Sequence, residues 1–140
     1  MGIDLSELRY DPDMQAILYS ANLNIAIVND IYSFKKEVSQ LSFAYANNLV
    51  KVYYLQFNNI QKAIEEACAK VEQTITELDR ASDRILLRYS IETDTPLHKA
   101  LTKYIMYTKA MCHGLLVWGY KSQRYSLCVE SLEGGVDIIL

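Results

Sequence analysis

The chain has 140 residues, of which 51% are hydrophobic and 22% charged, so it carries enough apolar content for one folded domain and is not a disordered tail. Its net charge of −3 provides no basic footprint for a nucleic-acid partner. No uncharged apolar run reaches the ~18 residues of a membrane span, no signal peptide is expected, and three cysteines without Cys-x-x-Cys spacing are not expected to form a zinc knuckle or a disulfide framework.

In chain order, residues 1–11 read as a lead-in loop. Pro12 and Pro96 are the only prolines, and each follows a cap-type residue, Asp11 and Thr95, so each is expected at the first position of a helix. The first helical block is predicted over 12–38. Met14, Ile17, Leu18, Ala21, Ile25, Val28 and Tyr32 take one flank, and Leu23, Ile27, Ile31 and Phe34 another. A helix apolar on nearly two sides is usually buried within a larger protein. Between the flanks runs a polar strip of Asn22, Ala26, Asn29, Ser33 and Glu37, which burial would make costly without partners.

Within that strip, steps of four residues each advance about 40° around the axis, so Asn29, Ser33 and Glu37 fall within an arc of roughly 80°. An amide, a hydroxyl and a carboxylate are hard oxygen donors of the kind Mg²⁺ or Mn²⁺ prefers. One carboxylate holds magnesium poorly, and such a site would keep waters and rely on phosphate oxygens from a substrate. On spacing alone, a solvated helix face or a bond to a neighbouring helix accounts for the same triplet. A capping box does not, because Lys36 stands three residues after Ser33.

A polar, aromatic connection covers 39–47. The second block, 48–89, has no Gly or Pro, and its length leaves room for one break or a frayed end. Val52, Leu55, Ile60, Ile64, Ala67, Val71, Ile75 and Leu78 keep helical spacing. The third block is predicted from Pro96 to Tyr120 or beyond, with Leu97, Leu101, Tyr104, Ile105, Met111, Leu115 and Trp118 on its apolar positions and with Gly114 and Gly119 permitting close approach or a kink. The tail 130–140, broken by Gly134 and Gly135, is expected either to dock on a helix or to be disordered. Cys68, Cys112 and Cys128 are expected to be reduced, buried thiols of a cytoplasmic protein, and His98 and His113 structural or surface residues. The fold class is therefore all-α, with three main helices and a long second one.

The nonapeptide Asn29 Asp30 Ile31 Tyr32 Ser33 Phe34 Lys35 Lys36 Glu37 resembles the second metal-binding motif of class I terpene synthases. Asn48 Leu49 Val50 resembles the Asn-Leu-Val that opens the next long helix in microbial members, and Arg124 Tyr125 resembles the Arg-Tyr pair that ends the cyclase fold. The resemblance implies the C-terminal part of a class I terpenoid synthase bundle, with its last helix reaching 125. It further implies Mg²⁺-dependent ionisation and cyclisation of a prenyl diphosphate such as farnesyl or geranylgeranyl diphosphate. Asn29, Ser33 and Glu37 would bind one Mg²⁺, with Mn²⁺ as a substitute, while Arg124, Tyr125 and Lys36 would face the diphosphate. Tyr107 and Trp118 would line a hydrocarbon pocket under the resemblance, or fill the core on helical spacing alone. The family's aspartate-rich motif is not in the sequence, where no Asp-Asp pair occurs. The chain is therefore expected to be a synthase fragment, inactive alone. The alternative is a non-catalytic helical module that binds Mg-diphosphate weakly or self-associates through apolar helix faces.

Overall fold

The computed structural model describes residues 5–89 and 95–122, and all regular structure among them is helical, without strands. A short 3₁₀ turn, Ser6–Tyr10, leads into α1 (Pro12–Leu41), which is followed by α2 (Leu49–Phe57), α3 (Ile60–Arg88) and α4 (Pro96–Lys121). The tail 130–140 and Cys128 lie outside the described residues.

Each helix starts on a side chain suited to the task. Asp11 Oδ1 accepts from the amides of Asp13 (2.9 Å) and Met14 (3.2 Å), and Thr95 Oγ1 accepts from His98 N (3.2 Å). Both precede a proline that has no amide to satisfy. Asn48 Oδ1 accepts from Val50 N at 2.9 Å and Asn59 Oδ1 from Lys62 N at 3.0 Å.

The expected block 48–89 is thus two helices. Asn58 adopts φ 49° and ends α2 in the left-handed region, its amide closing on Tyr54 O at 2.7 Å. Asn tolerates that conformation better than other side-chain-bearing residues. Asn59 then caps α3. The break interrupts the helical phase, so Val52 and Leu55, placed on the apolar stripe from spacing, stand 57% and 66% exposed. In α3 the buried positions are Ala63, Ala67, Val71, Thr74, Leu78, Ala81, Ser82 and Ile85, and Ile75 lies about a quarter turn away and is exposed.

Packing divides the chain into two compact units, Met1–Ile25 with Val71–Gly114, and Ala26–Lys70 with Leu115–Leu140. The first is built around Leu8, Met14, Ile17, Ala81, Ile85, Leu101 and Ile105, extended by Ala21, Leu78 and Cys112. Its buried polar groups are paired: Asn24 Nδ2 donates to Thr74 Oγ1 at 2.9 Å, and Thr74 in turn donates to Val71 O at 2.6 Å. His98 is structural, its Nδ1 lying 3.1 Å from Tyr89 O. Along α4 the stripe that faces inward is Leu101, Ile105, Thr108 and Cys112, while Met111 and Trp118, expected on the apolar face, are exposed. Cys112 is buried, as expected, whereas Cys68 is exposed, contrary to the expectation of burial.

Acidic residues at the start of α1 face basic residues at the end of α3. Asp13 Oδ1 meets Arg84 Nε at 2.7 Å, Asp13 Oδ2 meets Arg88 at 2.7 Å, and Arg88 also reaches Asp11 at 2.8 Å. Burial by itself would raise the Asp13 carboxyl, but its hydrogen bonds and charge contacts with Arg84 and Arg88 outweigh this and hold it below its ordinary 3.8.

In the second unit, the expectation of close approach at the glycines holds for Gly119 alone. A Cβ at Gly119 would lie inside the van der Waals envelope of the Tyr32 ring, whose hydroxyl donates to Leu116 O at 2.9 Å, whereas a Cβ at Gly114 meets nothing within 4 Å. Buried Ala46 and Val50 lie at the entry to α2, where Lys51 Nζ ties back to the carbonyls of Ala44 (2.8 Å) and Ala46 (3.0 Å). Phe43 and Tyr54 meet edge to face at 5.2 Å.

Two predictions follow from these contacts. A folded-state carboxyl held below its unfolded value stabilises the fold above that value, and the contribution is lost as pH falls through the folded pKa. In acid titrations followed by circular dichroism, wild type should therefore lose stability below pH 3.8 more steeply than Asp13→Asn. At the glycines, Gly114→Ala should raise the thermal midpoint by roughly 0.5–1 kcal/mol worth of helix propensity. Gly119→Ala should lower it, by about 1–3 kcal/mol, through overpacking against Tyr32.

Candidate metal and diphosphate site

Within the second unit, α1 presents Asn29, Ser33 and Glu37 on one face, with Lys36 about 20° from Asn29 around the axis. The strip expected to be buried is open at one end: Asn22, Ala26 and Asn29 are exposed, Glu37 is half-buried and Ser33 is buried. A partly open polar face can be reached by a ligand, which a sealed strip cannot.

Glu37 is held at both oxygens. Ser33 Oγ donates to Glu37 Oε1 at 2.5 Å, one turn back on the same helix, and Asn48 Nδ2 donates to Glu37 Oε2 at 3.3 Å. A free Glu side chain loses about 1.5–2 kcal/mol of rotamer entropy when it is ordered. Much of that cost is already met in the folded chain.

Asp30, next to Asn29, joins α1 to the start of α2. Its Oδ2 accepts from Leu49 N at 2.8 Å, and its backbone carbonyl accepts from Asn48 Nδ2 at 2.8 Å. Burial raises the Asp30 carboxyl above its ordinary value; the Leu49 amide opposes the shift and the nearby Glu37 charge adds to it. With Asn48 accepting from Val50 N, the carboxylate of Asp30 and the amide oxygen of Asn48 satisfy two of the otherwise orphan donors at the start of α2. Sequence spacing singled out the triplet but passed over Asp30 and Asn48 as its supports. Their signal was present, as a cap-type Asn directly before an apolar run and an acid within the motif, but nothing in the sequence alone says that the two meet.

The donor set suits a hard divalent cation. Ser33 gives its proton to Glu37 and keeps its oxygen lone pairs, Glu37 has acceptor capacity beyond its two hydrogen bonds, and Asn29 adds an amide oxygen one turn earlier. Among the described residues, no three His, Cys, Asp or Glu side chains gather as a metal-ligating group. The face therefore offers one acid and two neutral donors, too little to hold Mg²⁺ tightly without anionic oxygens from a ligand. Arg124 and Tyr125 lie outside the described residues. Tyr107 and Trp118 are 58% and 47% exposed, so neither is a core residue. Among the described residues no helix is long and apolar enough to cross a membrane.

Comparison with known proteins agrees with the family resemblance. The family model "Terpene synthase family 2, C-terminal metal binding" matches residues 1–77. The chain is 22% identical to the sesquiterpene cyclase hepA of Aspergillus oryzae, over 96% of this chain and 36% of that protein. It is 29% identical to the (1R,4R,5S)-(-)-guaia-6,10(14)-diene synthase of Fusarium proliferatum, over 98% of this chain and 32% of the relative. Terpene synthase 4 of Dictyostelium discoideum is 24% identical over 81% of the chain and 32% of its own length. The chain thus spans about a third of the length of these curated relatives. No solved structure gives a significant match. An all-α chain with an Asn-Ser-Glu face on its first helix, matched over more than half its length by that model, belongs to the terpene synthase family, within its C-terminal metal-binding portion.

Proposed function

We propose that this chain supplies the Asn-Ser-Glu half of a class I terpene synthase site, a carbon-oxygen lyase that ionises and cyclises a prenyl diphosphate such as farnesyl or geranylgeranyl diphosphate. The observation that carries the reading is the pre-ordered Glu37 carboxylate beside Ser33 on an accessible helix face. Asn29, Ser33 and Glu37 would hold one Mg²⁺, with Mn²⁺ able to replace it. When bound, the ion supplies Lewis acidity that stabilises the charge of the departing diphosphate.

The chain's own residues orient and neutralise. Glu37 brings the single negative charge, fixed by Ser33 and Asn48 so that it does not reorganise when a ligand arrives. Lys36, on the same face, adds a positive charge toward the diphosphate. Arg124 would donate two parallel hydrogen bonds from its planar fork and Tyr125 a phenolic one, as the family resemblance implies. The names of two relatives, a sesquiterpene cyclase and a guaiadiene synthase, support a hydrocarbon-forming cyclisation. No aspartate-rich motif is present to hold further ions, and the isolated chain is inactive on this reading.

A second reading, a non-catalytic helical module, draws on the exposed Met106, Tyr107 and Met111 of α4, apolar groups of the kind that favours self-association. Calorimetry separates the two. Wild type should take up Mg²⁺ with pyrophosphate, and an Asn29→Ala, Glu37→Ala double variant should lose at least tenfold in affinity; equal binding by the two would remove the metal-site assignment. Incubated with Mg²⁺ and farnesyl or geranylgeranyl diphosphate, the isolated chain should give no cyclised product by gas chromatography. Clear turnover would contradict the requirement for the aspartate-rich half.

A further inference from the structure

Asn48 is buried, and every polar atom of its side chain is engaged. One amide nitrogen serves two acceptors, Asp30 O at 2.8 Å and Glu37 Oε2 at 3.3 Å, while the amide oxygen accepts from Val50 N at 2.9 Å. The orientation of the amide follows from these partners. With oxygen and nitrogen exchanged, an oxygen would face a carbonyl and a carboxylate, and an NH₂ group would face an N–H.

An N-cap needs the oxygen alone, and Ser or Asp would serve as well at that position. The nitrogen is what distinguishes Asn here, and it points back to α1. Among the described residues, Glu37 would otherwise be anchored only by Ser33, from its own helix, and could still swing about its remaining torsions. A second donor from a different element fixes the carboxylate in place. The other end of the contact is itself fixed, because the Asp30 carboxylate accepts from Leu49 N at 2.8 Å. Asp30 thus accepts twice from the start of α2, at its backbone carbonyl from Asn48 Nδ2 and at its carboxylate from Leu49 N.

We propose that Asn48 is a positioning residue for Glu37, setting the orientation of the carboxylate that the Asn-Ser-Glu face offers to a divalent cation. The assignment of a metal to that face rests on the reading under Proposed function; the hold of Asn48 on Glu37 does not. Outer partners of metal ligands orient them and raise their basicity, and their loss typically weakens metal binding about 10–100-fold.

The test uses Asn48→Ser, which keeps a capping oxygen for α2 but has no donor long enough to reach Glu37. The first readout needs no metal: a thermal and urea unfolding cycle of wild type, Asn48→Ser, Glu37→Ala and the double variant. The two single losses should overlap, the double variant's unfolding constant falling short of the product of the single effects by about threefold or more. The second readout is Mn²⁺ uptake in the presence of pyrophosphate, followed by electron paramagnetic resonance on the full chain. Asn48→Ser should bind about tenfold more weakly than wild type while keeping wild-type helicity. A purely capping role leaves both readouts of Asn48→Ser unmoved and overturns the proposal, as does an additive cycle, whatever the metal does. If wild type binds Mn²⁺ no better than Glu37→Ala while the cycle stays coupled, the metal reading fails and takes with it the purpose assigned to Asn48, though not the contact.

Discussion

The clamp on Glu37 is the contact on which the proposed site depends. A lone carboxylate on a half-open helix face is a poor magnesium ligand unless its geometry is fixed before the ion arrives. Here one oxygen is held from within α1 by Ser33 and the other by Asn48 at the start of α2. The same asparagine caps α2, so the ordering of the candidate ligand and the initiation of the next helix share one side chain. Asp30 completes the arrangement by accepting from Leu49 N, which accounts for an acid beside Asn29 that points to the backbone of the following helix.

The other unit follows the same economy. Asp11 caps α1 and also pairs with Arg88, while Asp13, deeper in, is gripped by Arg84 and Arg88. The arginines are about half exposed, so these pairs contribute less through raw charge attraction than by keeping a nearly buried carboxylate satisfied. The apolar cluster of Ile17, Ile85, Leu101 and Ile105 supplies the bulk of the burial around them. Gly119 plays the corresponding part in the second unit, where the absence of a side chain lets the Tyr32 ring lie against α4.

Much of this was legible in the residues because it is local. Asp11-Pro12 and Thr95-Pro96 marked two helix starts, and Asn29, Ser33 and Glu37 fell on one face because an α-helix has one period. One break in 48–89 was allowed for by its length, but its place at Asn58 was not legible, since two successive asparagines carry less stop signal than Gly or Pro and only the left-handed backbone shows it. The exposure of Val52, Leu55, Met111 and Trp118 was missed for a related reason. Spacing predicts which residues share a stripe, but which stripe faces inward is set by the neighbours, and in α4 the smaller Thr108 and Cys112 won those positions. The link from Asn48 to Glu37 joins residues eleven apart across a turn, and no periodicity reports it.

The most direct test of the account is a crystal structure of the chain grown with Mn²⁺ and pyrophosphate, with anomalous diffraction recorded at the manganese edge. The account predicts an anomalous peak within coordination distance of Asn29, Ser33 and Glu37, with pyrophosphate oxygens completing the coordination. A peak located elsewhere on the chain, or an α1 face that stays without manganese while pyrophosphate binds another site, would contradict it.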